Sequence, residues 1–330
     1  MSTKQSVAIL GAGSWGTAVA IALAKQGHDV WLWAKNSAYS QDMQKKRCNE
    51  RYLPDIRFPD TISCSSHLAD CVAQASHVLV AVPSHAFSEL LNILPQPQQG
   101  VAWLTKGVDP DSHQILSDLV KQHWGESYPT AAISGQSFAR EVALGLPTAL
   151  VVASQHQAYQ QQIRDLLHTS TLRVYLSDDL TGVQLCGGVK NILAIACGIS
   201  DGIGYGANAK AALITRGLAE MQRLLLAYHA RMETCLGLAG VGDLVLTCTD
   251  NQSRNRRFGL LLGQGIDSIT AEKDIGQVVE GKHNAAQICT LAKQHQIEMP
   301  ICQEVHAVLQ QKRSPQEAVS RLMNRPPKEE

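Results

Sequence analysis

One lysine interrupts a long apolar segment of the chain, Thr181–Ile199. On a helix, its neighbours on the same face are apolar or very small: Cys186, Gly187, Leu193 and Ala194. We therefore expect the ammonium group of Lys190 to point into the protein, where burial is costly unless the charge is paired or its pKa falls. A lysine in that setting suits general acid–base chemistry on a carbonyl group. In the alternative interpretation, its stem packs on apolar surface and its charge reaches water.

A carboxylate with a similar setting follows in Gly237–Thr249. Asp243 stands between a glycine-rich turn and an apolar run, where a lone charge needs a reason. We expect Asp243 to pair with Lys190 and fix its orientation, with the hydroxyl of Thr247 in the same network. The alternative is that Asp243 only caps the helical segment that follows.

A compact cationic cluster comes next along the chain. It reads Ser253-Arg254-Asn255-Arg256-Arg257. The planar guanidinium group of arginine fits phosphate oxygens, and an asparagine adds a neutral donor. The cluster therefore predicts an anion site, although a run of solvated surface arginines is the ordinary alternative.

A glycine-rich turn near the start of the chain predicts a phosphate cradle. The segment Gly11-Ala12-Gly13-Ser14-Trp15-Gly16 fits Gly-x-Gly-x-x-Gly, with an apolar run before it and a helical pattern after it. Gly11 would permit the tight turn, Gly13 would let a pyrophosphate approach the backbone, and Gly16 would pack helix on strand. The helix N-terminus would offer free N–H groups to the phosphates. A plain strand–helix turn is the alternative.

The residues after the second predicted strand bear on the choice of dinucleotide. Folds specific for NAD usually carry Asp or Glu there to bind the ribose hydroxyl. Here the strand ends at Ala34-Lys35-Asn36, without a carboxylate. Lys35 would attract a 2′-phosphate, so we predict that NADPH is accepted as well as NADH. The alternative is that Lys35 is an ordinary surface lysine.

Two further strand ends carry polar groups. Lys106 follows one apolar run, and the segment Ser134–Ala139 follows the next. Ligands of open α/β sheets bind at this edge of the sheet, so Lys106 could meet either the cofactor or a substrate phosphate. A surface lysine at a strand end is the alternative.

The elements that must position these groups change character along the chain. Apolar runs separated by helical stretches predict strands in the first half: Val7–Leu10, Val30–Trp33, Val78–Val82, Val101–Thr105, Ala131–Ser134 and Ala149–Ala153. In the second half, helical patterns predict four helices: Thr181–Ile199, Ala209–Met232, Asn284–Gln294 and Pro315–Met323. We expect an α/β fold with a Rossmann-type, doubly wound parallel sheet in a dinucleotide-binding domain over residues 1–177, then an all-α substrate-binding domain over residues 178–330.

Composition narrows the choice of partners and compartment. With 29 basic and 29 acidic residues, the net charge is zero, which argues against a nucleic-acid or anionic-membrane partner. The nine cysteines include no Cys-x-x-Cys pair, which predicts free thiols and a cytoplasmic location. No uninterrupted apolar run of 18 residues occurs, so we predict no membrane insertion. The twelve histidines show no metal-binding spacing, and we predict no metal site.

Over nearly its whole length, the chain resembles the bacterial type of NAD(P)-dependent glycerol-3-phosphate dehydrogenase. The segments that carry the resemblance are Gly11–Thr17, Tyr52–Pro54, Val82–His85, Thr105–Gly107, Ser134–Ala139, Val189–Asn191, Asp201–Asn208, Gly237–Thr249, Ser253–Gly259 and Val278–Gly281. The strings Gly-Leu-Ala-Gly-x-Gly-Asp-Leu and Ser-Arg-Asn-Arg-Arg-Phe-Gly are the most specific among them. The resemblance implies reversible hydride transfer between NAD(P)H and dihydroxyacetone phosphate, a homodimer, and a product used in glycerophospholipid synthesis.

The resemblance also implies individual roles. Lys190 would exchange the proton at the substrate oxygen, and Asp243 and Thr247 would orient it. The implied substrate ligands are Lys106, Gly135, Ser137, Lys190, Asp243, Ser253, Arg254 and Asn255. The implied dinucleotide contacts, beyond Gly11, Gly13 and Gly16, are Ser14, Trp15, Lys35, Lys106, Ala139, Arg254, Val278 and Glu280.

One position departs from the family pattern. The family usually has Pro where this chain has Gln136, so the loop that carries Ser137 is expected to be less rigid. This departure bears on the contacts of Ser137 and Ala139 and not on the reaction.

Two other functions remain open from the residues. A dehydrogenase of the β-hydroxyacid or ketopantoate type would share the first domain and a lysine in the helical domain, but its substrates carry a carboxylate, whereas the Ser253–Arg257 cluster favours a phosphate. A dinucleotide-sensing protein without catalysis would keep the glycine turn but would have no need of Lys190 and Asp243.

Overall fold

A computed structural model describes residues 4–326 of the 330-residue chain. The described residues form two compact units. The first comprises the residues up to Lys106 together with Ile115–Val183, and the second comprises Gly107–Gln114 together with the residues from Gln184 onward. The predicted domain ends, residues 1–3 and 327–330, lie outside the described residues.

An eight-stranded sheet is the framework of the first unit. The strands among its described residues are β1 Ser6–Leu10, β2 Asp29–Trp33, β3 Cys48–Asn49, β4 Leu53–Arg57, β5 Ile62–Ser65, β6 His77–Val80, β7 Val101–Trp103, β8 Thr130–Gln136, β9 Thr148–Ala153 and β10 Leu172–Ser177. The order in the sheet is β10-β9-β8-β7-β6-β1-β2-β5, while β3 and β4 form a separate antiparallel pair. All neighbours in the sheet are parallel except β8 and β9. A parallel crossover needs about a dozen residues or more, and the link over residues 137–147 is shorter.

Seven α-helices connect these strands. They are α1 Ser14–Lys25, α2 Ser37–Lys46, α3 Leu68–Ala73, α4 Phe87–Ile93, α5 Leu116–Trp124, α6 Ala139–Leu144 and α7 Gln157–Leu167. Apolar residues of β1 and of α1 are fully buried in one core, including Val7, Ile9, Val19 and Ile21. The predicted Rossmann-type, parallel-dominated sheet is confirmed, and the six predicted strands all correspond to strands of the structure.

The second unit is mostly helical, as predicted. Its helices are α8 Leu180–Ile203, which begins in the first unit, α9 Ala207–Ala227, α10 Met232–Leu236, α11 Asp243–Thr249, α12 Arg254–Gly263, α13 Ser268–Ile275, α14 Glu280–Gln294, α15 Pro300–Leu309 and α16 Pro315–Met323. The last has the predicted bounds, because Ser314 and Glu317 form a capping box around Pro315. The predicted helix Ala209–Met232 instead ends at Ala227 and resumes as α10.

Glycines bring α8 and α12 into contact along their backbones. A β-carbon on Gly198 would lie 2.0 Å from the carbonyl oxygen of Arg256, and one on Gly202 would lie 2.2 Å from that of Leu260. From the other helix, a β-carbon on Gly259 would lie 2.1 Å from the carbonyl oxygen of Ile195. No side chain larger than hydrogen fits at these positions, so the two helices approach more closely than ordinary packing allows.

Helix α8 is also long and apolar enough to cross a membrane, judged by length and composition alone. Its most apolar stretch is completely buried within the structure, which is the arrangement of a core helix.

Candidate active site

A buried ion pair joins α8 to α11. The Nζ atom of Lys190 lies 2.7 Å from Oδ1 of Asp243 and donates a further hydrogen bond of 2.9 Å to the hydroxyl of Thr247. Lys190 is only 6% exposed and Asp243 only 1%. The predicted pairing is therefore confirmed, and the alternative of a lysine that reaches water is wrong.

The local fold explains why these groups meet. A single non-α turn, Leu238–Gly242, precedes α11. Gly240 in this turn lies so close to Cys235 that a β-carbon on it would be 2.0 Å from the Cys235 carbonyl oxygen. Gly242 takes the N-cap position, so Asp243 is the first residue of the helix and not its cap. Thr247 lies one turn later and donates its hydroxyl to the Asp243 carbonyl oxygen at 2.6 Å. That bond leaves the oxygen of Thr247 facing the ammonium group as an acceptor.

A neighbouring thiol adds no second negative charge. A hydrogen bond with Cys197, and then burial, raise the pKa of Cys248 well above its ordinary value. Cys248 therefore stays protonated beside the ion pair, and Asp243 keeps its place as the anionic partner of Lys190.

Asn191, which sequence reasoning left without a role, connects three elements. Its side chain donates to Oε2 of Glu280 at 3.2 Å and accepts from Nδ2 of Asn255 at 2.9 Å. Asn255 in turn accepts from the backbone N–H of Gly281 at 2.9 Å. Two predicted site residues, Asn255 and Glu280, are thus held through an amide adjacent to Lys190. The signal that could have revealed it was a polar residue directly beside Lys190 in the apolar run of α8.

The cationic cluster divides in the structure. Arg256 is buried and forms an ion pair with Asp201 and a hydrogen bond with Asn251. Ser253 caps α12 by accepting the backbone N–H of Arg256 at 3.2 Å. Arg254 is half-buried, and its Nη1 donates to Oε1 of Gln277 at 3.3 Å. The arginines of the cluster therefore differ in setting: Arg256 is paired with Asp201, which Lys210 also contacts at 2.9 Å, whereas Arg254 is half-buried beside Gln277.

The glycine turn has the geometry that a pyrophosphate needs. Gly11 has φ +126°, and a β-carbon there would lie 2.7 Å from the backbone of Ala81. A β-carbon on Gly16 would lie 2.0 Å from the Gly11 carbonyl oxygen, whereas one on Gly13 would have no atom within 4 Å. The first and third glycines are thus required by the protein itself, and the middle one leaves open space beside the N-terminus of α1. These residues fit a dinucleotide phosphate.

The other predicted cofactor residues lie in several elements. Ser14 and Trp15 open α1, Ala139 opens α6, and Glu280 opens α14, with Val278 two residues before it. The indole Nε1 of Trp15 is buried and has no hydrogen-bond partner within the described part of the chain. An unsatisfied buried donor of this kind is consistent with a ligand that completes it.

Lys35 lies two residues after β2 and is 72% exposed. Its Nζ atom lies 2.6 Å from Oε1 of Glu89, whose side chain is 64% exposed. The lysine is thus at the strand end where it was expected, and a carboxylate from α4 accompanies it.

Three predicted substrate residues of the first unit lie together. Nζ of Lys106 is 3.5 Å from the carbonyl oxygen of Gly135, and the hydroxyl of Ser137 donates to the same oxygen at 3.1 Å. Gly135 has φ +132° and packs against Leu150. Gln136 is paired with Ala149 as the last residue of β8, so the position that departs from the family pattern lies in the sheet. Among the residues that the structure describes, no cluster of His, Cys, Asp and Glu could hold a metal ion.

Comparisons with known proteins agree with this architecture. A family model described as the N-terminus of NAD-dependent glycerol-3-phosphate dehydrogenase matches residues 6–160, and the model of the C-terminus matches residues 179–320. A glycerol-3-phosphate dehydrogenase [NAD(P)+] of Legionella pneumophila (strain Lens) is 62% identical over 327 residues, which cover 99% of both chains. That of Shewanella sp. (strain W3-18-1) is 48% identical over 334 residues, covering 100% of this chain and 99% of the relative.

Solved structures give the same result. The crystal structure of glycerol-3-phosphate dehydrogenase from Coxiella burnetii superposes with a TM-score of 0.94 at 48% identity, covering 98% of this chain and 99% of that one. A D-mandelate dehydrogenase with a TM-score of 0.66 is 14% identical and therefore shares the fold alone. On this evidence, the chain belongs to the NAD-dependent glycerol-3-phosphate dehydrogenase family, whose members use NAD(P).

Proposed function

We propose that this protein catalyses reversible hydride transfer between NAD(P)H and dihydroxyacetone phosphate, which gives sn-glycerol 3-phosphate. The observation that carries the proposal is the buried network of Lys190, Asp243 and Thr247 in a chain of this family. When bound, the dinucleotide supplies the hydride. The residues of the chain bind and orient the substrate and the dinucleotide, and they donate or accept the proton.

Lys190 serves as the proton donor in reduction and as the acceptor in oxidation, at the oxygen atom of the reacting carbon. Its ammonium group is fixed by the two hydrogen bonds that it donates, to Asp243 and to Thr247, which lie one turn apart on the same face of α11. A fixed donor in a water-poor setting stabilises developing charge at low reorganisation cost. Asp243 therefore acts as the counterion that makes burial of the lysine tolerable.

The phosphate of the substrate is held by cations and neutral donors. In the second unit these are Arg254, Asn255 and Ser253, and Asn191 keeps Asn255 in place through its 2.9 Å hydrogen bond. In the first unit, Lys106, Gly135 and Ser137 serve as substrate ligands, with Lys106 also meeting the cofactor. The division of the cluster by Asp201 supports Arg254, and not Arg256, as the arginine for the phosphate.

The dinucleotide is bound at the turn of Gly11, Gly13 and Gly16. The open space beside Gly13 and the N-terminus of α1 support this placement. The further contacts in the proposal are Ser14, Trp15, Lys35, Ala139, Arg254, Val278 and Glu280.

A spectrophotometric assay tests the proposal directly. Purified protein is mixed with dihydroxyacetone phosphate, and the absorbance loss of NADPH and of NADH is followed in parallel. Loss with either cofactor is expected. If protein that binds the cofactor reduces 2- or 3-oxo carboxylates but not dihydroxyacetone phosphate, the substrate is wrong; if no oxo compound is turned over, the sensing function takes its place.

The assembly, compartment and pathway belong to the same proposal. Nine cysteines with no disulfide among the described residues support a reducing cytoplasm. The family resemblance supports a homodimer and a product used for glycerophospholipid synthesis. Sedimentation equilibrium at micromolar concentration tests the dimer, and a single species with the 35.8 kDa mass of one chain would contradict it.

A further inference from the structure

We propose that Glu89 is a specificity-determining residue for the cofactor, acting against Lys35. Glu89 favours the 2′-hydroxyl of NAD(H), Lys35 favours the 2′-phosphate of NADP(H), and together they allow the use of both. The inference rests on the proposed function, because it concerns the selection of the cofactor for that reaction.

The strand order places this pair at the dinucleotide turn. Lys35 follows β2 and Glu89 lies in α4, after β6, and these two strands flank β1 on either side. Strand β1 leads directly into Gly11, whose backbone N–H donates to the Trp33 carbonyl oxygen at 3.1 Å. The 2.6 Å contact between Lys35 and Glu89 therefore brings together the polar groups that follow both neighbours of β1.

Glu89 supplies the carboxylate that the sequence lacks at the usual place. Folds of this type that prefer NAD hold the ribose hydroxyls with Asp or Glu at the end of the second strand. Here that position carries Lys35, and the carboxylate arrives from a different element. A carboxylate accepts a hydrogen bond from a 2′-hydroxyl but repels a 2′-phosphate, whereas an ammonium group attracts the 2′-phosphate by its charge.

The exposure of both side chains makes the pair exchangeable. With 72% and 64% of these side chains exposed, water screens the ion pair, which contributes little to stability. A phosphate with two negative charges can therefore displace the Glu89 carboxylate from Lys35, while its repulsion by that carboxylate persists. At this exposure, removal of one charge changes phosphate affinity by about three- to tenfold.

The test is equilibrium binding in the absence of substrate. Wild type, Glu89→Gln and Lys35→Met are titrated with NAD+ and NADP+, and with the fragments 5′-AMP and adenosine 2′,5′-bisphosphate, by calorimetry. For Glu89→Gln we expect the ratio of NADP+ to NAD+ affinity to rise about three- to tenfold, and for Lys35→Met to fall by a similar factor. The fragments should show the same changes, because they differ only in the 2′-phosphate.

A matched control is available on the same strand. Asp29 opens β2 at the opposite end and forms an ion pair of 2.9 Å with Lys4, also between exposed side chains. Asp29→Asn removes one charge from the unit but should leave the affinity ratio unchanged. The midpoint temperature of unfolding of each variant verifies that the fold is kept.

The outcomes separate the inference from the function. If Glu89→Gln keeps the wild-type affinity ratio within twofold while the protein still reduces dihydroxyacetone phosphate, Glu89 has no selecting role and the inference falls alone. If the ratio shifts as expected but no reduction occurs, the function falls and the cofactor selection stands. If Asp29→Asn changes the ratio of NADP+ to NAD+ affinity as much as Glu89→Gln does, the change follows from net charge alone, and the inference is overturned.

Discussion

The ammonium group of Lys190 and the carboxylate of Asp243 lie 2.7 Å apart, and neither side chain is more than 8% exposed. Each charge is tolerated in the interior because the other is present, and removal of either leaves an uncompensated buried charge. The proposed catalytic role and the structural role of this pair therefore fall on the same two side chains, and experiments must separate them.

Lys190→Ala should lower kcat for dihydroxyacetone phosphate by about 10²–10⁴-fold, because the positioned proton donor is lost. Its free energy of unfolding should also fall by about 3–5 kcal/mol, since Asp243 is left unpaired. The double variant Lys190→Met with Asp243→Asn should recover much of that stability without recovering turnover. Binding of NADPH is the control and should persist. Turnover near that of wild type in either variant would remove Lys190 from its role.

Thr247→Val tests the third member of the network. Valine keeps the shape of threonine but cannot accept from Lys190, so a hydrogen bond to a charged group worth about 1.5–3 kcal/mol is lost. We expect kcat to fall about tenfold or more, with little change in KM, as for a residue that positions another. Thr247→Ser keeps the hydroxyl and should restore most of the rate. Equal losses in both variants would point to packing.

Alanine substitution at two of the turn glycines should affect different properties, namely stability at Gly16 and cofactor affinity at Gly13. Gly16→Ala places a methyl group 2.0 Å from the Gly11 carbonyl oxygen, so the first unit should lose about 1–3 kcal/mol or more of stability. Gly13→Ala meets no protein atom within 4 Å, so stability should hold while the affinity for NAD(P) falls about tenfold or more. Normal cofactor affinity in the Gly13→Ala variant would contradict the proposal that this turn binds the phosphates of the dinucleotide.

The chain provides a convenient probe for this comparison. Its five tryptophans all lie in the first unit: Trp15, Trp31, Trp33, Trp103 and Trp124. Tryptophan fluorescence during urea unfolding therefore reports that unit alone.

The stability of the first unit should decrease in mild acid. Burial lowers the pKa of His28, although Asp29 partly offsets the shift, and the Nδ1 atom of His28 accepts the Gln5 backbone N–H at 3.1 Å. Burial and then His28 lower the pKa of His77. Because the unfolded chain takes up these protons first, stability is complete above pH 6.5 and is lost as the pH falls toward the lowered values.

Urea unfolding at pH 7.5 and pH 5.5 measures this loss through the tryptophans. In His28→Leu the loss between the two pH values should be smaller than in wild type. An equal loss in both proteins would show that His28 takes no part. Asp267→Ala, in a helix cap of the second unit, is a control that should leave the tryptophan transition unchanged.

Strong local signals made much of the fold predictable. Helix α8 follows from its long apolar pattern, α16 from its capping box, and the first strands from apolar runs around a glycine turn. The partnership of Lys190 and Asp243 was predictable for a related reason. Each is a lone charge in an apolar segment, and such charges are stable only when paired.

The remainder depended on partners that are distant in the chain. Strands β5 and β10 are too polar to stand out, and they exist because β2 and β9 offer edges to pair with. Asp201 forms an ion pair with Arg256, and Glu89 forms one with Lys35, only because the fold brings these distant segments together. Periodicity carries no information about such contacts, because it describes each segment by itself.

The glycine contacts between α8 and α12 have a consequence for how the protein can change. Lys190 lies on the first helix and Arg254 and Asn255 on the second, so the groups proposed for the proton and for the phosphate are held by two backbones in direct contact. Where side chains separate two helices, gradual exchange of larger and smaller residues can adjust the spacing over many generations. Here no such intermediate steps exist, and even alanine at Gly198 or Gly259 would push the helices apart. Evolution toward longer or shorter substrates would have to proceed through the loops and the cationic residues, with the separation of these two helices inherited unchanged.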